Sequence, residues 1–195
     1  MSNNNGIITC NISLFGPSVG KTSLIYQYLE NKEPNEGITK LWEPPEKYIE
    51  IGVDTIKLHL YMNNDKNNFE GLNKLFIPQT NIVILIYDIT NRDSFNLMKE
   101  YYYPQTIKSL PQNIIIGISG NKVDLERKRE VSYKEGEEFS HSINAVFKET
   151  TSKNNEKITE LIDDLIRKYI EYYKGENEDN IMREEACCQN QCLIY

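Results

Sequence analysis

Residues 14–23, LFGPSVGKTS, contain the residue types of a phosphate-binding loop. In the usual pattern a glycine and four arbitrary residues precede Gly-Lys-Ser/Thr, and backbone N–H groups at the start of a helix surround the phosphate. Here only three residues separate Gly16 from Gly20, so the loop is one residue shorter than the pattern. Such a loop predicts a site in which Lys21 reaches the outer phosphates and the Thr22 hydroxyl ligates Mg²⁺.

The missing residue can be placed in two ways. Either Gly16 keeps the role of the first glycine in a tighter turn, or Phe15 takes that place and the end of the strand shifts. In both cases Pro17 has no N–H to donate, which predicts a weaker or reshaped phosphate cradle. A plain strand-to-helix turn is the alternative interpretation. The candidate nucleotide-binding residues of the loop are Gly16, Ser18, Val19, Gly20, Lys21, Thr22 and Ser23.

Apolar strands alternate with helices along the chain. Residues 82–87, IVILIY, and 114–119, IIIGIS, are continuous apolar runs, as expected of parallel strands that are buried on both faces. Further strands are predicted at 7–15, 48–51, 55–61 and 145–149, an exposed loop at 32–47, and helices at 21–30, 94–103, 132–142 and 155–173. This pattern predicts an α/β domain with a mostly parallel sheet, whose ligands bind at the carboxyl ends of the strands.

The composition narrows the class of protein. The 195 residues suit one domain with a substantial core, and the net charge of −7 argues against broad nucleic-acid binding. The N-terminal MSNNNG lacks the features of a signal peptide, and no apolar run is long enough to span a bilayer, which predicts a cytosolic protein. We expect a flexible N-terminus at 1–6, one domain at 7–174 and a flexible tail at 175–195.

Two further motifs follow predicted strands, NKVD at 121–124 and ETTSK at 149–153. NKVD matches the guanine-reading motif N-K-x-D of the Ras superfamily of small GTPases, and ETTSK resembles that family's E-T-S-A-K. The segments YDITNRDSF at 87–95 and REVSYKEGEEF at 129–139 resemble the Rab branch. The resemblance covers about residues 7–173 and implies a P-loop small G domain with a mostly parallel six-stranded sheet flanked by helices.

In this family NKxD reads the guanine base. The Asp124 carboxylate can accept parallel hydrogen bonds from the ring N–H and the exocyclic amine of guanine, a donor pair that adenine lacks. Asn121 would bond the opposite edge of the base and tie two loops together. The stem of Lys122 can lie along the base plane.

The ETTSK loop supplies the other half of the base site in the family. The resemblance implies that Ser152 donates its backbone N–H to the guanine oxygen, with Thr151 and Lys153 bracing the loop. A P-loop small-molecule kinase is a further interpretation of the chain. It is disfavoured because NKVD and TSK have no use in such an enzyme.

The resemblance also locates the two switch regions of the family. Thr39 falls at the position of the first-switch threonine that contacts Mg²⁺ and the terminal phosphate, although a plain surface threonine is the alternative. The second switch of the family reads W-D-T-A-G-Q, and here Met62 replaces its aspartate, Asp65 its glycine and Lys66 its glutamine. Methionine cannot hold a Mg²⁺ water, and lysine cannot accept a hydrogen bond from water. We therefore expect GTP hydrolysis to be slow or absent.

The chain ends in Cys192-Leu-Ile-Tyr, which resembles a C-a-a-X prenylation box. Cys187 and Cys188 lie just upstream and are candidate palmitoylation sites. Two lipids anchor a protein stably where one gives only marginal binding. A solvated tail and an adventitious metal site are the alternatives. The tail thus predicts attachment to the cytosolic face of a membrane.

The sequence predicts a guanine-nucleotide-binding protein of Rab/Ras type, a trafficking or signalling switch that uses GDP or GTP with Mg²⁺ and engages effector or regulator proteins. We expect a monomer. Two classes of function remain open: a slow GTPase, for which no catalytic residue is assigned, and a pseudo-GTPase scaffold that is locked in one nucleotide state or empty. The intact Gly-Lys-Thr and NKVD motifs favour the first class, and the altered second switch favours the second.

Overall fold

The computed structural model of the chain describes residues 7–31, 45–62, 79–110 and 113–191, with side chains described as far as Gly175. Within these residues, six strands form one sheet in the order β2-β3-β1-β4-β5-β6. The strands are β1 (Ile8–Phe15), β2 (Glu46–Ile51), β3 (Asp54–Met62), β4 (Ile82–Asp88), β5 (Ile115–Asn121) and β6 (Val146–Glu149). Among the described strands only the β2–β3 pair is antiparallel, which confirms the prediction of a mostly parallel α/β fold.

Helices cover both faces of this sheet. They are α1 (Lys21–Glu30), α2 (Arg92–Leu97, continued by a π-helical turn Met98–Tyr102 and by Tyr103–Ser109), α3 (Tyr133–Ser142) and α4 (Glu156–Gln191), with a 3₁₀ helix at Val123–Lys128 after β5. Strand β4 shows how the layers divide. Its Ile82, Ile84 and Ile86 belong to the apolar cluster beneath α1 and α4. The alternate Val83, Leu85 and Tyr87 belong to the cluster beneath α2 and α3, because successive side chains of a strand point to opposite faces.

The apolar stripe of α4 packs in the core as predicted. Its members are all buried in the α1-side cluster: Ile158, Leu161, Ile162, Leu165, Ile166, Tyr169 and Ile170. The backbone helix then continues to Gln191, past residue 173 where the sequence predicted its end and past Gly175 where it predicted a flexible tail. The residues beyond Gly175 include Glu, Met, Arg, Ala and Gln, which have high helix propensity, and this explains the longer helix.

Helix α2 also extends beyond its predicted bounds of 94–103. Proline ordinarily ends a helix because it lacks an N–H and its ring crowds the preceding turn, and Pro104 directly follows the predicted end. In the structure the Tyr103 N–H donates to the Met98 carbonyl, which widens the turn immediately before Pro104. The helix passes the proline through this π-helical turn and ends at Ser109.

Candidate nucleotide site

The phosphate loop begins where β1 ends against β4. Phe15 is the last residue of β1, is buried and is paired with Leu85. Gly16 follows with a φ of 148°, and a Cβ atom at this position would lie 2.2 Å from the carbonyl oxygen of Ile86. Any larger residue would therefore collide with the backbone of β4. This favours Gly16, and not Phe15, as the counterpart of the first glycine of the pattern.

The shortened interior of the loop has few backbone donors left for a ligand. Pro17 has no N–H, and the Val19 N–H donates to the Pro17 carbonyl at 2.8 Å. Ser18 lies between them and is exposed. Gly20, with a φ of 85°, is the residue before the first turn of α1. The donors directed outward are thus concentrated at the start of α1, where the helix dipole also favours an anion.

Lys21 folds its ammonium over the loop. Its Nζ donates to the carbonyl oxygens of Gly16 and Pro17, both at 2.7 Å. The residue is 3% exposed, and burial lowers the pKa of its ammonium from the ordinary 10.5 to about 8. The two carbonyl dipoles only partly compensate for the lost hydration, so a phosphate placed here would stabilise the charged form.

Asn121 joins the phosphate loop to the loop after β6. Its Nδ2 donates to the Val19 carbonyl at 2.8 Å, and its Oδ1 accepts from the Thr150 hydroxyl at 3.2 Å. The Thr150 hydroxyl oxygen also lies 2.7 Å from Ser119 Oγ. All three polar side chains are buried, and the Thr150 hydroxyl is bonded to the other two. Val19 therefore serves the site through its carbonyl, while its N–H is used within the loop.

The NKVD and ETTSK motifs lie side by side, as the sequence predicts for the ends of adjacent parallel strands. The Val123 N–H donates to the Thr150 carbonyl at 3.1 Å. The Thr151 hydroxyl donates to a carboxylate oxygen of Asp124 at 2.5 Å and accepts from the Lys153 N–H at 3.1 Å. Asp124 itself is exposed, so its carboxylate is held in place while it remains open to a ligand.

Lys122 adopts the left-handed conformation, with a φ of 68°. Its Nζ pairs with a carboxylate oxygen of Asp88 at 2.7 Å, and the other oxygen accepts from the N–H and hydroxyl of Thr90. Burial acts to raise the pKa of Asp88, but the hydrogen bonds from Lys122 and Thr90 outweigh it and hold that pKa below its ordinary value. Asp88 was not among the site residues predicted from the sequence. Its position at the end of β4, next to the site, is the signal that was available.

The metal side of the site is less complete. Thr22 lies in the first turn of α1 and is partly exposed, as a Mg²⁺ ligand there would require. Met62, at the end of β3, packs against the apolar cluster of the α1 side and offers no carboxylate. In the part of the chain that the structure describes, no group of three or more His, Cys, Asp or Glu side chains could hold a metal ion. Thr39, Asp65 and Lys66 lie outside the described residues.

The donor set can thus be compared with a guanine nucleotide and its metal. The exposed Asp124 carboxylate and the cation of Lys21 at a helix N-terminus fit a base and a phosphate. The Thr22 hydroxyl fits a Mg²⁺ ligand, but Met62 cannot hold the Mg²⁺-bound water that an aspartate holds in the family. The base and phosphate sides therefore suit the ligand better than the metal side does.

The lipidation candidates fall outside what can be described. Cys192 lies beyond the described residues, and the side chains of Cys187 and Cys188 are not described. None of the described helices combines the length and apolarity needed to cross a membrane.

Comparison with known proteins shows which family the chain resembles. Residues 12–171 match the model of the Ras family. The chain is 38% identical over 154 residues to the Ras-related protein Rab-21 of Bos taurus and 37% identical to that of Homo sapiens; the first match covers 78% of this chain and 69% of the relative. It is 27% identical over 180 residues to the Ras-related protein Rab-17 of Mus musculus, covering 92% of this chain and 84% of the relative.

Proposed function

The chain belongs to the Ras family and is a Rab-like small GTPase of that superfamily, and from this we propose that it binds guanine nucleotide at the site around Asn121. Family membership implies guanine nucleotide and Mg²⁺ as ligands. The assignment of individual residues to these ligands is our proposal. In it the base lies between the NKVD and ETTSK loops, and the phosphates lie at the start of α1.

One observation carries this proposal. The side chain of Asn121 bonds both the Val19 carbonyl in the phosphate loop and the Thr150 hydroxyl in the ETTSK loop. Three motifs that are far apart in the sequence are thereby fixed to one another at one edge of the sheet. A plain surface turn at NKVD would not require this buried bridge.

Each end of the nucleotide has matching groups in the site. The Asp124 carboxylate would accept the ring N–H and exocyclic amine of guanine, and the Ser152 N–H would donate to the guanine oxygen. The N–H groups of Gly20, Lys21 and Thr22 would surround a phosphate at the helix N-terminus, and Lys21 Nζ would leave the loop carbonyls to meet it. Binding at this position offsets part of the cost of burying that ammonium.

We further propose that hydrolysis of GTP is slow or absent. When bound, Mg²⁺ neutralises charge on the phosphates, and Thr22 and Thr39 are the proposed ligands. Met62 cannot hold a metal-bound water, and in the sequence Lys66 stands where the family has the glutamine that positions the attacking water. Phosphoryl transfer depends almost entirely on such positioning and charge neutralisation, so losing both removes most of the catalysis.

A second candidate function, a pseudo-GTPase scaffold, is favoured by the geometry of the loop. Pro17 and Val19 offer no outward N–H, because one lacks the group and the other uses it within the loop. If the remaining donors do not retain phosphate, the fold would act through its partners alone, with effector or regulator proteins bound in one fixed state. The nucleotide affinity of the protein separates the two functions.

We propose that the C-terminus attaches the protein to the cytosolic face of a membrane through a lipid on Cys192, with Cys187 and Cys188 as further sites. The test compares the wild-type protein with Cys192→Ser in fractionated cells. The wild type should be found with membranes and the variant in the cytosol. Identical partitioning of the two would contradict lipid attachment.

Nucleotide binding is tested by titrating nucleotide-free protein with fluorescently labelled GDP and ADP in the presence of Mg²⁺. The proposal predicts saturable binding of GDP, none of ADP, and loss of GDP binding in Asp124→Ala. Glu138→Ala is the matched control, because among the described residues this exposed carboxylate on α3 pairs only with Lys134, at 3.6 Å. Equal binding of GDP and ADP would contradict guanine recognition.

Hydrolysis is tested separately by single-turnover release of phosphate from protein that has been loaded with GTP. We expect GTP to be recovered intact after many minutes. A stoichiometric burst of phosphate would show that other residues replace those of the second switch. The proposal of slow hydrolysis would then be wrong, and the proposal of nucleotide binding would stand.

A further inference from the structure

The guanidinium of Arg129 lies between two carboxylates. Its Nη1 and Nη2 donate to the two carboxylate oxygens of Glu149, at 2.5 and 2.7 Å. Its Nε donates to both oxygens of Glu126 at 2.9 Å, and its Nη1 also donates to the Val131 carbonyl at 2.9 Å. The side chains of Arg129 and Glu149 are only 17% and 11% exposed, so this ion pair is largely shielded from water.

The two carboxylates belong to the two base-reading loops. Glu149 is the last residue of β6 and is followed directly by Thr150 and Thr151. Glu126 lies in the 3₁₀ helix, two residues after Asp124. Arg129 therefore connects the chain segment that carries Asp124 with the segment that carries its hydrogen-bond partner Thr151. It does so without being part of either motif.

The segment that carries Asp124 is not a regular helix. It follows Lys122, which has a positive φ of 68°, and Leu125 breaks the helical pattern with φ −97° and ψ 30°. A short 3₁₀ segment has poor hydrogen-bond geometry of its own. The direction of the Asp124 carboxylate therefore depends on contacts from outside the segment. Among the described residues these include two charged contacts, the Lys122–Asp88 pair and the Glu126–Arg129–Glu149 bridge, and the second of these reaches the ETTSK loop.

We propose that Arg129 is a positioning residue for the guanine site, fixing the NKVD turn against the ETTSK loop so that Asp124 meets both N–H donors of the base. The inference rests on the proposed function, since it presupposes guanine at this site. The planar guanidinium binds two carboxylates at once through its fixed fork of donors. A lysine ammonium cannot reproduce that geometry.

Arg92 provides a matched control. Its Nη1 and Nη2 donate to the carboxylate oxygens of Glu135 at 2.5 and 3.1 Å, and it also bonds the Glu130 carbonyl. This bridge joins the start of α2 to the start of α3 and touches neither base-reading motif. Arg92→Lys and Arg129→Lys thus disrupt similar charged bridges, of which only the Arg129 bridge contacts a base-reading loop among the described residues.

The experiment measures dissociation of GDP and of inosine diphosphate from the full-length wild type, Arg129→Lys, Glu126→Gln and Arg92→Lys. Inosine lacks the exocyclic amine, so the ratio of the two dissociation rates reports how well Asp124 meets that group. We expect Arg129→Lys to release GDP about tenfold faster, while the dissociation rate of inosine diphosphate changes much less. The ratio of the inosine diphosphate rate to the GDP rate should therefore fall. Glu126→Gln, a milder change at a 62% exposed side chain, should shift the ratio in the same direction.

The ratio separates positioning from general stability. Arg92→Lys should lower the unfolding temperature and leave the ratio at the wild-type value. An unchanged ratio in both Arg129→Lys and Glu126→Gln would overturn the positioning role while leaving the proposed function intact. If Arg129→Lys does not fold, Glu126→Gln decides alone. Failure of the wild type to bind either nucleotide would overturn the proposed function, and this inference with it.

Discussion

The side-chain nitrogen of Asn121 lies 2.8 Å from the carbonyl oxygen of Val19, a residue 102 positions earlier in the chain. This bond joins the end of β5 to the middle of the shortened phosphate loop. It also explains how a loop with one residue fewer keeps a defined shape. The Val19 carbonyl accepts from the buried Asn121 side chain, and the Val19 N–H donates to the Pro17 carbonyl. The base side and the phosphate side of the site are thus mechanically connected.

Replacing Asn121 should lower both the stability of the protein and its affinity for GDP. Asn121→Ala leaves the Val19 carbonyl without its buried partner, so we expect the free energy of unfolding to fall by about 1–3 kcal/mol and GDP affinity to fall at least tenfold. Urea denaturation and GDP titration measure the two effects. Ser119→Ala is the control, since it removes a bond to Thr150 and leaves the Asn121–Val19 link in place. An equal loss of GDP affinity in both variants would contradict a specific role for that link.

The close approach of Gly16 to β4 predicts that a side chain at residue 16 destabilises the protein. In Gly16→Ala the new Cβ would lie 2.2 Å from the Ile86 carbonyl oxygen, so the backbone must move, at a cost of about 3 kcal/mol. Gly52→Ala is the control: it too has a positive φ of 65°, but nothing lies within 4 Å of its added Cβ. Only the conformational cost of about 1 kcal/mol should then apply. Chemical denaturation compares the variants, and equal losses would contradict the close approach.

The buried ammonium of Lys21 predicts a pH dependence. Its pKa in the ligand-free protein is lowered to about 8, so between about 8 and the ordinary 10.5 the unfolded chain binds more protons than the folded one. Stability of the ligand-free protein should therefore rise as the pH rises through this window. A bound phosphate favours the charged lysine, so nucleotide binding should take up a proton near pH 8 and should weaken above it.

Calorimetry of GDP binding at pH 8, in two buffers with different ionisation enthalpies, measures that proton uptake directly. Lys21→Arg is the control, because its guanidinium stays protonated throughout and should show no uptake. Binding by the wild type with no proton uptake between pH 7 and 8.5 would mean that the ammonium is already fully charged in the empty loop.

The buried phenol of Tyr87 predicts a stabilising substitution. Its hydroxyl has no hydrogen-bond partner among the described residues and is enclosed by the backbone near Gly120 and Gly136. Tyr87→Phe removes this unsatisfied group, so the free energy of unfolding should stay the same or rise by up to about 1 kcal/mol. Tyr169→Phe is the matched control, since that hydroxyl donates to the Thr9 carbonyl at 3.3 Å and its loss should destabilise. Destabilisation by Tyr87→Phe of a similar size would contradict the prediction.

The strands and the meeting of the motifs could be predicted because they depend on local patterns. Continuous apolar runs located β4 and β5, and the ends of neighbouring parallel strands necessarily bring NKVD and ETTSK to one edge. The Pro17–Val19 bond could not be predicted, since it depends on how a deleted residue changes the backbone path. The ion pairs of Asp88 and Arg129 were missed for a related reason: each joins residues distant in sequence, Lys122 for the first and Glu149 for the second. The passage of α2 beyond Pro104 required a π-helical turn that propensity does not indicate.

The most direct test of the proposed function is the nucleotide content of freshly purified full-length protein, determined by denaturation and ion-exchange chromatography. Binding through the Asn121-centred site predicts close to one guanine nucleotide per chain in the wild type, as GDP or intact GTP, and none in Asp124→Ala. Absence of nucleotide from the wild type, with no uptake when GDP and Mg²⁺ are added, would contradict it and would leave the protein as a binding scaffold.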